Sequence, residues 1–547
     1  MRIAFACAKL SSEMTPPAKP QPAQASIGKS AFLVAAGIFL SRIFGLINNR
    51  VFGYYFGISP PADAFRAALR IPNILQNLFG EGALSASFIP VYARLLAEGK
   101  KEDAGRVAGA IFSLLALVTS ILVLLGVLAA PWLIDLIAPG FHDPLRRNLT
   151  IRLVRIFFPG VGLLVLSAWC LGILNSHRKF FLSYVSPVIW NATIIAALVI
   201  YGRRSELPDL AAKAAWGAVI GSGLQFLAQL PIVLRLAPSL KLSLLAIGQN
   251  VRIVLRNFFP TFMGRGVNQL SAYVDTFLAS FLPASAVAAL FNSQTLSLLP
   301  VSLFGMSVSA AELPAMSSEL GNEEEVAATL RRRIADSTRR IGFFVVPSAV
   351  AFLALGDVVA GAIYQTGAFS RANTVYVWQI LAGSAVGLVA STVGRLYSSA
   401  YYALRDTRTP LRFAVVRVIL TTGLGYLCAL PLPRWLGVDP SWGAAGLTAS
   451  AGFSAWVEFT LLRRAMNRRI GRSEFPVAYF VKLWASAIIA AAAGWGLRWL
   501  AHPQHPVVTG ILVLIPYGLV YLGLTALLGV DETAALFRRF TRRFTQA

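Results

Sequence analysis

The sequence predicts an all-α membrane protein with many transmembrane helices, and three observations support that prediction. Hydrophobic residues make up 56% of the 547 positions, charged residues make up only 13%, and the mean hydropathy is +0.66. A soluble chain normally carries about 25% charged residues. Apolar runs of about 20 residues, the length of a transmembrane helix, follow one another along the chain. This composition excludes a soluble multidomain enzyme, a disordered chain and a disulfide-framed secreted protein.

The apolar runs predict fourteen transmembrane helices, preceded by a polar tail at residues 1–30. The tail contains several prolines and lacks the long apolar stretch of a signal peptide, so we expect it to be disordered and cytoplasmic. We expect six helices in an N-lobe at 31–235 and six in a C-lobe at 236–468. Two further helices follow at 469–530, and a basic cytoplasmic tail closes the chain at 531–547.

The charge of the chain, +25, follows from its expected topology. Lys and Arg are concentrated in alternate connections, with a roughly threefold excess on one side, as the positive-inside rule requires of cytoplasmic loops. This distribution places both termini in the cytoplasm and removes the need for a nucleic-acid partner. The three cysteines are scattered, and no metal-binding or nucleophile motif is present in the sequence. We therefore expect a transporter rather than an enzyme, with no cofactor.

A weak internal repeat supports the division into two lobes. The segment LFGEGALSASFIPVYARL at 78–95 is similar to LFGMSVSAAELPAMSSEL at 303–320. If the two segments are related, the second expected span corresponds to the eighth. Internal repeats of this kind are typical of secondary transporters, which bind their substrate between the two halves.

The most informative charges lie inside the expected spans. On a helix, Asp63, Arg66 and Arg70 share one face, and Glu81 follows between two glycines. Arg42 lies too deep in the first span to reach the interface easily, and charges at such depth usually face a bundle interior or a water-filled path. One interpretation is a cationic pocket for an anionic headgroup, and the other is internal ion pairing that holds helices together. The basic residues within spans are Arg42, Arg50, Arg66, Arg70, Arg265, Arg395, Arg417 and Lys482.

Several motifs in order along the chain resemble those of the MurJ (MviN) family of lipid II flippases, within the multidrug/oligosaccharidyl-lipid/polysaccharide exporter superfamily. The most specific are RIPN with GEGALS and YALRDTRTP. The matching segments are SRIFG (41–45), ADAF to FIPV (62–91), RIFFPG to PVIWN (155–191), LQFLAQLP (224–231), NQLSAYVDTFLASFLP (268–283), YQTGAFSRANT (364–374) and YALRDTRTP (402–410).

The resemblance implies a V-shaped bundle of two six-helix lobes in the bacterial inner membrane. Such a protein would move lipid II, the undecaprenyl-diphosphate-linked peptidoglycan precursor, from the inner to the outer leaflet by alternating access. It also implies a central cationic cavity for the headgroup and a lipid-tail groove at the last two helices, here with IIAAAAGWG at 488–496. The expected partners are lipid II or a related polyprenyl-diphosphate lipid, membrane lipids and cell-wall synthesis proteins.

The family's site residues carry over incompletely to this sequence. Those retained are Arg42, Asp63, Arg70 and Glu81. An Arg-Asp pair of the family corresponds to Asn48 and Asn49, and two further family arginines correspond to Gln76 and Thr295. Asp275 is a weak candidate for the sodium site of some family members. The expected substrate-binding residues are Arg42, Asn48, Asn49, Asp63, Arg70, Asn73, Gln76, Glu81, Arg265 and Thr295.

Three of the four signature arginines of the family are thus absent, and two explanations stay open. Either Arg50, Arg66 and Arg265 supply the missing charge, or the chain is a diverged paralogue for another amphipathic lipid-linked substrate. Amides can bind sugars and peptides but bring no Coulomb attraction for a diphosphate. A non-transporting scaffold of the envelope-synthesis machinery is the alternative from a different class of function.

Overall fold

The protein is described by a computed structural model covering residues 24–79, 83–243, 248–283, 285–309, 312, 316, 323–473, 475–501 and 505–544. Within these residues the chain forms helices and no strand, which confirms the all-α prediction. We call the residues up to 243 the N-terminal half and the residues from 248 the C-terminal half.

The N-terminal half packs mainly around α6 and α9, which run side by side and also contact α2 and α8. Asp143 begins α6 by accepting hydrogen bonds from the backbone N–H groups of the first turn. The helices of the N-terminal half are α1 (Gln24–Phe56), α2 (Pro60–Asn77), α3 (Ala83–Ala97), α4 (Lys101–Leu128), α5 (Ala130–Ile137), α6 (Pro144–Ser176), α7 (Phe180–Val185), α8 (Pro187–Tyr201) and α9 (Leu207–Leu236).

The C-terminal half is organised around α18, which packs against its neighbours α14, α15 and α16. Gly387 and Gly452 allow α18 to approach the junction of α14 and α15 closely, because a Cβ atom on Gly387 would lie 2.3 Å from Gly452 Cα. The helices are α10 (Gln249–Ser280), α11 (Ala286–Pro300), α12 (Glu323–Ala354), α13 (Gly356–Tyr364), α14 (Arg371–Val386), α15 (Leu388–Ala403), α16 (Arg408–Ala429), α17 (Pro431–Trp435), α18 (Trp442–Ile470), α19 (Val477–Ala501), α20 (Pro506–Leu527) and α21 (Asp531–Phe544).

In the described residues, eight helices are long and apolar enough to cross a membrane, or up to ten if two bent pairs each form one span. The bends are 86° between α12 and α13 and 45° between α14 and α15. The other four expected spans, at α1, α2–α3, α10 and α18, are not among these ten. The predicted number of fourteen stays a prediction.

The connections between helices gather at two ends of the bundle. We call the end with the Arg- and Lys-rich connections the basic end; Arg469 meets Asp406 there at 3.2 Å. The opposite end contains the connections at 57–59, 138–143, 281–283 and 365–370. We call it the closed end because the two halves meet there, for example through the backbone hydrogen bond from Ala368 N to Tyr54 O at 2.8 Å.

The two segments of the internal repeat share a local feature. A π-helical turn occurs at Leu78–Phe79, directly after α2, and another occurs at Val301–Met306, directly after α11. Both turns include the Leu-Phe pair of the LFG sequence, and α2 and α11 are also neighbours. The residues at 80–82 lie outside the described part of the chain, as does most of 310–322.

The last two long helices, α19 and α20, pack on α12 and α13. The small residues of the 488–496 segment serve this packing: Ala490 and Ala491 are buried, and a Cβ atom on Gly494 would lie 3.2 Å from Val513. A cavity of about 300 Å³ lies close by, between α11, α12 and α13, with Tyr517 contributed by α20. Its lining is almost entirely apolar, with residues such as Leu299, Phe304 and Phe352.

Candidate functional site

The candidate site is built on the charged face of α2. Asp63, Arg66 and Arg70 occupy that face in successive turns, as the helical period predicts. The structure turns this face toward the C-terminal half, so that each of the three side chains contacts a residue more than 200 positions later in the chain. The face is therefore an interface between the two halves in this conformation.

Asp63 bridges the halves at the closed end and is fully buried. Its carboxylate accepts hydrogen bonds from Ser285 N at 2.6 Å and Ala288 N at 2.7 Å, at the start of α11. Arg146 Nη2 donates a third hydrogen bond to it at 2.6 Å. The carboxylate thus caps the N-terminus of α11, where the helix dipole favours negative charge, while the buried Arg146 guanidinium balances its charge.

Arg146 was missed as a site residue from the sequence. It lies in the first turn of α6, directly after the connection at 138–143, where a basic residue is normally exposed. In the structure it is only 8% exposed, and its guanidinium carbon lies 3.5 Å from the ring centroid of Phe141. The sequence offered only the pairing of opposite charges as a signal, and the partner Asp63 is 83 positions away.

Arg66 and Arg70 complete the interface, about one and two turns after Asp63 on α2. The Arg66 guanidinium lies between the rings of Phe52 and Phe291, at 4.2 and 4.0 Å from their centroids, and donates to Asn49 Oδ1 at 3.0 Å. Arg70 donates from Nε to Thr276 Oγ1 at 3.1 Å and from Nη2 to Gln294 Oε1 at 2.7 Å. Both arginines are held by protein groups in this state.

Asp275 lies at the far side of this contact. Gln294 Nε2 donates to its carboxylate at 3.0 Å, and Arg70 and Arg417 both attract its charge. Among the described residues, no group of three or more His, Cys, Asp and Glu side chains could hold a metal ion. In the described part of the chain, the groups that act on the weak sodium-site candidate are therefore two arginines and an amide.

Arg50 also connects the halves at the closed end. Its Nη1 donates to Ala362 O at 2.8 Å and to Ile363 O at 2.9 Å, the last carbonyls of α13. A cation at a helix C-terminus is favoured both by these free carbonyls and by the helix dipole. Arg50 thus holds the two halves together at this end.

The remaining expected residues are dispersed. Arg42 is exposed and, among described residues, makes no hydrogen bond or ion pair. Asn48 is buried and donates to Asn191 Oδ1 at 3.0 Å, which ties α1 to α8. Asn73 lines a cavity of about 10 Å³ inside the N-terminal half, and Gln76 is half-buried.

The Thr295 hydroxyl donates a hydrogen bond to Phe291 O of its own helix, at 2.9 Å. Two expected residues cannot be placed. Glu81 and the side chain of Arg265 lie outside the described part of the chain.

The comparisons with known proteins place this architecture in a family. The sequence profile described as "Lipid II flippase MurJ" matches residues 52–518. The chain belongs to the lipid II flippase MurJ family. A family member from Rhizobium meliloti, named a probable lipid II flippase MurJ, is 30% identical over 490 residues, covering 87% of this chain and 88% of its own. The lipid II flippase MurJ of Burkholderia cenocepacia is 29% identical over 529 residues, covering 93% and 98%.

Solved structures give the same family and a wider fold. "Lipid II flippase MurJ, inward closed conformation" matches with a TM-score of 0.76 and 25% identity, covering 92% of this chain and 99% of that one. An inward-facing multidrug resistance transporter of the MATE family, in the MOP superfamily, matches with a TM-score of 0.61 at 16% identity, over 81% of this chain and 100% of its own. The latter likeness shows the fold alone. The family is one of membrane transporters, so the expectation of a transporter rather than an enzyme is confirmed.

Proposed function

We propose that this multi-pass membrane protein is a lipid II flippase that moves its substrate from the inner to the outer leaflet by alternating access. The observation that carries the proposal is the family match, which extends over residues 52–518. The likeness to a lipid II flippase structure over 92% of the chain supports it independently of any single motif.

The closed end supplies one of the two states that alternating access requires. Asp63, Arg66 and Arg70 of α2 bind the C-terminal half, and Arg50 of α1 binds α13. These polar contacts can be exchanged for water or substrate. Apolar residues of both halves, such as Phe56 and Phe369, belong to one buried cluster and must also separate for this end to open. The basic end belongs in the cytoplasm by the positive-inside rule, which makes the closed end the outer one and both termini cytoplasmic.

Among the retained family residues that the structure describes, Arg42 is free to meet a substrate in this state. It is exposed within the long helix α1, and a charged side chain there is expected to face water or a ligand rather than lipid. A guanidinium forms strong, often bidentate hydrogen bonds with phosphate oxygens. We therefore assign Arg42 to the diphosphate of lipid II.

Complementation tests the proposed function. Expression of this chain should restore growth to bacteria depleted of their essential lipid II flippase. Arg42→Ala should abolish rescue at equal membrane levels, while Arg204→Ala, in an exposed connection at the closed end, should not. Failure of the unmodified chain to restore growth despite normal membrane insertion would reject lipid II as its substrate.

A related lipid-linked substrate with a less charged headgroup is the second candidate. It is favoured by the amides and hydroxyl at Asn48, Gln76 and Thr295, where the family carries arginines. Direct binding distinguishes the two candidates, because a protein for a less charged headgroup should bind lipid II no better than it binds a neutral polyprenyl glycoside.

A further inference from the structure

Two arginines of the C-terminal half stand close together around a single carboxylate. Arg395 lies on α15, Arg417 on α16 and Glu458 on α18, and α18 packs directly against both other helices. Arg417 Nη1 donates to Glu458 Oε2 at 3.1 Å. Arg395 is near enough to be repelled by Arg417 and attracted by Glu458. The group therefore carries one more positive charge than negative.

Among the described residues, neither guanidinium has partners for all its donors. Arg395 is exposed and makes no hydrogen bond or ion pair with the described residues. The Arg417 side chain is 36% exposed, and only its Nη1 atom is used in the contact with Glu458, whose side chain is 13% exposed. A guanidinium presents five N–H donors, so most of the donors of this pair remain available to a ligand.

The depth of the pair indicates that it faces water inside the protein. Arg395 is eight residues before the end of α15, and Arg417 is nine residues after the start of α16. At 1.5 Å per residue, each lies about 12–14 Å from the basic end of its helix, near the middle of a hydrocarbon core of about 30 Å. An accessible charge at that depth is expected to face an aqueous cavity, because contact with lipid would be costly.

The pair also borders the interface between the two halves. Arg417 attracts Asp275 of α10, Asp275 accepts a hydrogen bond from Gln294, and Gln294 accepts one from Arg70 of α2. This row of polar contacts leads from the N-terminal half directly to Arg417. The two arginines therefore lie beside the path between the halves rather than on the outer surface of the bundle.

A purely structural role accounts for only part of this arrangement. An ion pair between Arg417 and Glu458 would hold α16 against α18 without any second cation. Arg395 is attracted by Glu458 but repelled by Arg417, and it has no hydrogen-bond partner in the described part of the chain. Two neighbouring guanidinium groups with free donors are instead suited to an oxyanion, which binds both and relieves their repulsion.

We propose that Arg395 and Arg417 form an anion-binding site on the wall of the C-terminal half, taking an oxyanion of the phosphate or carboxylate class from the transported lipid. This inference rests on the proposed function for the identity of that lipid. It also explains how the chain functions with Asn48, Gln76 and Thr295 at the family's arginine positions. The positive charge is provided from α15 and α16 instead of α1, α2 and α11.

Equilibrium binding to the purified full-length protein in nanodiscs tests the site. The probes are undecaprenyl diphosphate, lipid II, and lipid II whose stem-peptide carboxylates are amidated. Arg395→Gln and Arg417→Gln should each weaken binding roughly tenfold or more, as expected for hydrogen bonds to a charged group. Arg412→Gln, exposed near the basic end of α16, is the matched control and should bind as the unmodified protein does.

The pattern of loss identifies the source of the oxyanion. Weaker binding of all three probes would assign the site to the diphosphate. Weaker binding of lipid II alone, with undecaprenyl diphosphate and the amidated form unaffected, would assign it to the peptide carboxylates. Unchanged affinity of both variants for every probe would overturn the proposal.

Two further variants distinguish the loss of the binding site from a folding defect. Glu458→Gln removes the competing carboxylate and should tighten binding. The double variant Arg417→Gln/Glu458→Gln removes the ion pair as a unit, should remain monodisperse, and should still lose affinity. If the unmodified protein binds undecaprenyl diphosphate through these arginines but shows no preference for lipid II, the proposed function fails while the anion site stands.

Discussion

Replacing Asp63 by Asn should open the closed end. Asn has nearly the shape of Asp but no charge, and its amide nitrogen cannot accept a hydrogen bond. The carboxylate now accepts bonds from Ser285 N and Ala288 N at 2.6 and 2.7 Å and pairs with Arg146. In the variant, Arg146 would remain 8% exposed without its countercharge. Removing one partner of a buried ion pair costs about 3–5 kcal/mol.

This cost applies only while the halves are together. In an open state, water can hydrate both Arg146 and the amide, so the variant should favour opening by about 10²-fold or more. Spin labels at Arg203→Cys and Leu436→Cys, both exposed at the closed end, would report it. Pulsed EPR distances in proteoliposomes, measured with the native cysteines replaced, should be longer in Asp63→Asn than in the parent.

The matched control is Asp209→Asn, in the first turn of α9. Asp209 pairs with Arg152 at 3.3 Å, but the two side chains are 60% and 58% exposed. Exposed pairs contribute about 0–1 kcal/mol, so the distances should not change. If Asp63→Asn likewise leaves the distance distribution unaltered, the bridge from Asp63 to α11 does not hold the halves together and the reasoning is refuted.

Two further predictions concern the same end, and a third concerns the loop before α16 at the basic end. Arg66→Ala should lengthen the same EPR distances, because it removes the stacking of the guanidinium on Phe291 of the C-terminal half, which contributes about 2 kcal/mol at a desolvated site; an unchanged distribution would contradict this. Gly57→Ala should open the closed end too, because Gly57 has φ +56° and a Cβ atom would lie 2.6 Å from Ala368 O; unaltered labelling of the closed end by a polar thiol reagent would count against it. Asp406→Asn should lower the free energy of unfolding by about 0.5 kcal/mol at neutral pH, since it removes the negative charge that Asp406 places at the first N–H groups of α16. Hydrogen bonds from these groups hold the pKa of Asp406 below its usual value, so its stabilisation is present above about pH 4 and is lost as the pH falls through the folded-state pKa. Thermal melts of variant and parent should therefore converge in acid, and a difference that persists there would exclude the charge as the cause.

The sequence predicts one face of the site well and its partners poorly. The helical period is enough to place Asp63, Arg66 and Arg70 together on α2, and they are found together. Periodicity says nothing about which helix that face meets. The partners Arg146, Thr276 and Gln294 are separated from α2 by 83 to 224 positions, and ordinary polar residues at those places give no signal.

The contacts made by the residues at the substituted family positions could not be predicted from the sequence either. An Asn in an apolar span can face a cavity or bond another helix, and composition does not distinguish these cases. Asn48 does the second, through Asn191 on α8. Arg395 and Arg417 were counted as charges within spans, but their proximity depends on the packing of α15 and α16 against α18.

The two groups of arginines differ in when they can bind a ligand. Arg66 and Arg70 are engaged by the C-terminal half in the closed state, so a substrate reaches them only by displacing Phe291, Thr276 or Gln294. Arg42, Arg395 and Arg417 have donors that no described residue uses in the same state. A ligand shifts a conformational equilibrium only by binding one state better than the other.

An anionic headgroup held first by the free arginines gains further contacts only if the closed end separates and releases Arg66 and Arg70. The additional binding free energy of the headgroup in the open state then shifts the equilibrium toward that state. The substrate can thereby promote the conformational change without any covalent chemistry. This order of contacts predicts that Arg395→Gln weakens initial binding, whereas Arg70→Gln leaves initial binding intact and reduces the ability of lipid II to lengthen the EPR distances at the closed end. Equal effects of the two variants on both measurements would show that the arginines act in one step.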